Sequence, residues 1–100
     1  MDIIKQLFNI NNNLNLEILD LQNELVSISG DTTLKADEKQ VLIDEIYTLM
    51  GTYVVHCERI NGVLKEIEKD ATFIDKNLVV FNNFFNSLND FNNQHLKSKN

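Results

Sequence analysis

The stretch LKEIEKDATFIDKNLVVF, residues 64–81, decides the architecture. Read one way, Leu64, Ile67, Ala71, Ile74, Leu78 and Phe81 continue a heptad a/d stripe without a change of phase, which describes one uninterrupted helix. Read the other way, Thr72-Phe-Ile-Asp75 has the spacing of a capping box, where one helix stops and another begins. Asn61-Gly62, just upstream, is a turn dipeptide and offers a second break. The preserved phase favours the single helix, because a chain reversal has no reason to keep it. The same phase runs through Ile43, Ile46, Met50, Tyr53, Cys57 and Ile60 upstream and Phe85 and Leu88 downstream. The expectation is a long coiled-coil helix over about 34–95, about 90 Å at 1.5 Å per residue. A compact three-helix bundle is the alternative.

Working outward, an earlier stripe of Ile4, Leu7, Leu14, Ile18, Leu21, Leu25 and Ile28 is interrupted only at Asn11, and predicts a first helix over about 2–29. Ser29-Gly30-Asp31-Thr32-Thr33 should end it, with Gly30 left-handed and Asp31, Thr32 or Thr33 capping the next helix. Asp37 and Glu38 suit that helix's positive end. The whole chain has no proline and three glycines, so the fold class is all-α: a single domain, 1–100, built as a helical hairpin with a turn at 30–33. One hundred residues with 43% hydrophobic content suffice for a modest core, marginal alone.

The width of the long stripe varies. Tyr47, Leu49, Val54 and Val63 broaden it in its first half, whereas Glu68, Asp70, Asp75 and Asn77 flank it later. An antiparallel first helix would place Ile28 near Ala36 and Ile3 near Ile60, so its cover should end where the stripe narrows. Residues 64–91 then need a partner. The residues assigned to that contact are Leu64, Ile67, Ile74, Leu78, Phe81, Phe84, Phe85, Leu88 and Phe91, the last five set among asparagines with Asp90 as the one charge in residues 81–93. Phe73, Val79 and Val80 lie off the main seam and suggest a second contact face. Asn11, a lone polar residue on an apolar seam, is assigned to fixing register.

Composition excludes several functions. A net charge of −6 with nine dispersed Lys and Arg is wrong for a phosphate-binding surface, so nucleic acid is not an expected partner. Cys57 is the only cysteine, which rules out an internal disulfide and any CxxC motif. No signal peptide and no apolar run of membrane-spanning length is present, and a cytoplasmic protein is expected. His56-Cys57-Glu58 cannot chelate one ion, because neighbours on a helix project about 100° apart. Cys57 reads as a structural thiol, and His95 as a helix-terminal or surface residue. The acidic pairs Asp37-Glu38, Asp44-Glu45 and Glu66/Glu68 read as solvated faces. No phosphate loop, GxSxG or HExxH occurs, so no catalytic residue, cofactor or metal is assigned.

The expected function is therefore non-catalytic: a helical interaction protein that assembles with itself or with other helical subunits. Small size and acidity also suit an inhibitor, for example phage-encoded, that binds and blocks a host protein. A third possibility is an exported helical-hairpin secretion partner. About 100 residues, two helices and no cleavable signal resemble the small WXG100-like secretion proteins in outline. The chain has no tryptophan, its turn is SGDTT, and Tyr53 is followed four residues later by Cys57 instead of an acid, so no family is claimed.

Overall fold

The computed structural model describes residues 2–96, all of whose regular structure is helical. Helix α1 spans Ile3–Ser29, α2 Ala36–Lys69, α3 Phe73–Lys76 and α4 Leu78–His95. Asp2 caps α1, its Oδ1 accepting from the backbone N–H of Ile4 at 3.0 Å and of Lys5 at 3.3 Å. At the other end Gly30 keeps a right-handed φ of −89°, not the left-handed conformation expected of it. Its N–H donates to Val26 O and that of Asp31 to Ile28 O, so the helix closes without a positive φ.

The two turns are built alike. Asp31 Oδ1 accepts from Thr33 N at 2.8 Å and Thr33 Oγ1 at 2.6 Å. Asp70 Oδ1 accepts from Thr72 N at 2.9 Å and Thr72 Oγ1 at 2.7 Å. Asp-x-Thr thus bends the chain twice, each time by a side chain standing in for a backbone acceptor. At the second turn Asp70 Oδ2 also takes Lys76 Nζ at 2.8 Å, and Asp70 itself has extended backbone. The uninterrupted helix over 34–95 is therefore corrected: it stops at Lys69, and the chain reverses through α3. The seven-residue step from Ile67 to Ile74 happens to preserve the heptad phase, so phase alone could not reveal the reversal. The break falls where the alternative reading placed it but is held by Asp70; Thr72 makes no side-chain cap at α3, so the capping box of that alternative does not form.

Helices α1 and α2 pair antiparallel. Asn15 meets Cys57 and Lys39 Nζ reaches Ser29 O, which puts opposed residues at numbers summing to about 70. Ile3 is accordingly level with about Ile67, so α1 covers nearly all of α2 instead of ending near Ile60. Helix α4 lies in the cleft between them. Asn13 Nδ2 on α1 donates to Asn92 Oδ1 on α4 at 3.0 Å, and Phe91 meets Tyr53 and His56 of α2 at ring separations of 5.6 and 4.5 Å.

The result is a rod of 55 × 22 × 21 Å with two unlike halves. At 1.5 Å per residue α2 runs about 51 Å and α4 only about 27 Å. The half near the Asp70 turn has three helices and holds most of the buried core: Leu7, Ile10, Leu14, Tyr53, Ile60, Phe81 and Leu88. The half near the Asp31 turn has two helices. There Leu21 and Ile46 are the buried apolar residues that α1 and α2 supply, and Leu25, Ile28, Ile43 and Met50 are half-buried.

Candidate protein interface

The expected partner-binding residues are brought together chiefly by their own chain. Phe81 and Leu88 are buried in the cleft; Leu64, Ile67, Ile74, Phe84, Phe85 and Phe91 are half-buried against the same core. Helix α4 supplies the cover that the hairpin reading assigned to a second molecule. Of the nine, Leu78 alone is exposed, at 51%. The asparagines around the phenylalanines face water, Asn92 excepted.

Around Leu78 a different surface forms. Val79 and Val80 are 74% and 71% exposed, so three consecutive aliphatics open to solvent where α3 meets α4. Beside them lies an apolar cavity of about 330 Å³ between α2 and the α3–α4 corner, walled by Val63, Phe73, Val80, Phe81 and Phe84, with Arg59 and Glu66 at its lining. Gly62 contributes to that lining, and a Cβ built on it would touch nothing within 4 Å. Phe73 and Val80 were the off-seam residues of the sequence, and the reversal at Asp70 is what gathers them.

Polar residues inside the bundle fall elsewhere than expected. Asn11 is half-buried with its Oδ1 lacking a hydrogen-bond partner among the described residues. The interhelical amide pair is instead Asn13 with Asn92, and Asn13 is 1% exposed. Asn13 sits off the a/d phase, so the seam gave no sign of it; the asparagine runs at 11–13 and 92–93 were the only trace. Glu17 is also buried. Burial first, and then Glu17's charge, push the Tyr53 hydroxyl above its usual range.

The remaining ionisable groups are spread along α2 and α4. Cys57 is half-buried, its Sγ 3.8 Å from Asn15 Oδ1, and burial raises its thiol. His56 has a buried Nδ1 without a hydrogen-bond partner among the described residues and its ring lies on Phe91; burial, then Arg59, lower its pKa. His95 is exposed in the last turn of α4, its ring 4.8 Å from that of Phe91. Among the described residues no three His, Cys, Asp or Glu side chains gather as a metal site, and no helix is long and apolar enough to cross a membrane.

Comparison of the chain with protein-family models, curated proteins and solved structures gave no match.

Proposed function

We propose that this chain is a non-catalytic helical interaction protein that assembles through the apolar corner between α3 and α4, with a second copy as its simplest partner. The observation that carries this reading is the run Leu78, Val79 and Val80, more than half exposed and contiguous with the apolar cavity. Single exposed aliphatics are ordinary on a soluble protein; three in succession at the mouth of an apolar cavity make a patch that association would cover.

Charge is compatible with self-contact at this end. Residues 17–48 carry eight acidic and two basic side chains, the full net charge of −6, while the rest of the chain carries seven of each. Two copies meeting at their α3–α4 corners would hold their acidic halves at opposite tips of an elongated dimer, where screening over tens of ångströms removes the repulsion.

Light scattering on a sizing column tests this. The expected mass rises with concentration above the 11.6 kDa of one chain, and Val79→Asp with Val80→Asp returns it to one chain with helicity unchanged. A wild-type mass fixed at one chain across the concentration range would overturn self-assembly.

A further inference from the structure

Two cavities lie along the outer groove between α2 and α4, and neither is lined by a residue of α1. The larger, about 330 Å³, is the apolar corner, walled by Val63, Phe73, Val80, Phe81 and Phe84. The smaller, about 190 Å³, is lined by His56, Ser87, Leu88 and Phe91. Arg59 and Phe84 line both, so the two cavities adjoin at Arg59. Arg59 is the chain's one arginine beside eight lysines. It makes no hydrogen bond or ion pair among the described residues, which leaves its guanidinium fork uncommitted. The other polar groups of the larger cavity are engaged. Asn77 Nδ2 donates to Phe73 O at 2.9 Å, and the Glu66 carboxylate has Lys69 Nζ 3.9 Å away. Glu66 lies seven residues from Arg59, about 10 Å along α2.

We infer that this groove binds a small amphipathic carboxylate, of the class of medium-chain fatty acids, with its apolar tail in the larger cavity and its carboxylate on Arg59. A cavity of this size, walled by aliphatic and aromatic side chains with one placed polar group, has the make-up of a small-molecule site. Charge sets the orientation. At the corner end a carboxylate would meet Glu66, whereas at the other end Arg59 offers it a planar, bidentate pair of donors that lysine does not supply. Ser87, beside Arg59 in the smaller cavity, has a hydroxyl without a hydrogen bond among the described residues and can donate to the same head group. The distance of about 10 Å from Arg59 to the Glu66 end suits an extended octyl tail. Gly62 keeps the α2 wall open, since a Cβ there meets nothing within 4 Å. This site shares Val80 with the proposed self-contact but not Leu78 or Val79, and Arg59 and Gly62 belong to α2, so either reading can fail without the other.

The test is titration of the full chain with octanoate, followed by amide chemical shifts. Octylammonium, which carries the wrong charge, and acetate, which has no tail, are the controls. The expected result is saturable binding of octanoate alone, with shifts at residues 59–66 and 73–87 and none at 18–45. Arg59→Gln should weaken binding by about tenfold or more, and Arg59→Lys by less. Gly62→Leu, which puts a side chain into the open space of the cavity, should abolish it with helicity unchanged. Equal binding of octylammonium would reduce the groove to non-specific apolar adsorption and overturn the inference. So would the absence of a saturable shift up to about 10 mM octanoate, or binding that neither Arg59→Gln nor Gly62→Leu affects. Val79→Asp, outside the cavity lining, should lower the mass read by light scattering and leave octanoate binding intact. Loss of binding in that variant would place the site between two copies and overturn its assignment to one chain.

Discussion

The two halves of this rod share one pair of helices yet differ in how deeply that pair is buried. Near the Asp70 turn, a third helix closes the cleft and Leu7, Leu14 and Ile60 lose all exposure. Near the Asp31 turn, the same stripe continues with comparable residues, but Leu25 and Ile28 stay half-exposed because no third helix among the described residues lies over them. A heptad stripe therefore specifies that a helix pairs, whereas depth of burial depends on how many helices surround the seam. The lesson for stability is direct. Folding energy should be concentrated in the three-helix half, and the two-helix half should have the lower cost of local opening.

The largest effect that could break this comparison is truncation of the core. Phe81→Ala removes a ring that is 3% exposed in the core of the three-helix half, at the first turn of α4, and should cost about 3–5 kcal/mol. Leu25→Ala, in the two-helix half, should cost well under half of that, since its side chain already sees water. Urea unfolding of both variants measures the difference. Equal losses would mean that the two halves are equally packed.

How much of this was legible follows from the same residues. The bounds of α1, the existence of α2 and the heptad positions that build the core, Leu7, Leu14, Ile46, Ile60, Phe81 and Leu88, could be read from spacing, because burial imposes helical period on sequence. The reversal could not be read from spacing, since its length keeps the phase. Its signal was chemical and local: Asp70-Ala-Thr72 repeats Asp31-Thr-Thr33, and both bend the chain by the same three-atom contact. Missing that repeat extended α2 through the turn, left residues 64–91 without cover and moved the expected interface onto what is mostly core. The apolar corner is a consequence of where α4 lands, and heptad phase carries no information about that. Likewise Asn13, off the a/d phase, is buried where α4 covers a second face of α1 and Asn92 meets it.

A smaller effect separates the halves by pH. His56 belongs to the three-helix half, and burial with Arg59 beside it holds its pKa below the usual 6.5. The unfolded chain then takes up a proton before the folded one does, so stability falls as pH drops through 6.5 and keeps falling until the folded-state pKa is passed. His56→Phe, which keeps a ring against Phe91, should flatten that limb in thermal unfolding between pH 7 and 5. Asp31 and Asp70 act at both turns. Hydrogen bonds from Thr33 lower the first, and from Lys76 and then Thr72 the second, below 3.8, so their contribution is present above that pH and lost only below it. Acid between pH 7 and 5 should accordingly cost the three-helix half more of its protection than the two-helix half, visible as a larger rise in amide opening in residues 78–95 than in 18–50. An equal rise in both halves would sink the assignment to His56.

The smallest expected effect is the best control on all of this. Gly51 and Gly62 both lie inside α2, one outside the reach of α4 and one at the corner cavity, and a Cβ on either meets no atom within 4 Å. Alanine at each should therefore stabilise by about 0.5–1 kcal/mol, through lower backbone entropy in the unfolded chain and no change in packing. The gain should be equal in the two places, because intrinsic helix propensity does not depend on how many neighbours a helix has when the new atom touches none of them. Unfolding by urea again supplies the number. Equal gains would show that the halves differ in packing and not in the quality of α2 itself. A loss at Gly62 beside a gain at Gly51 would mean that the corner cavity is already filled, and with it the space offered to a partner at that end would disappear.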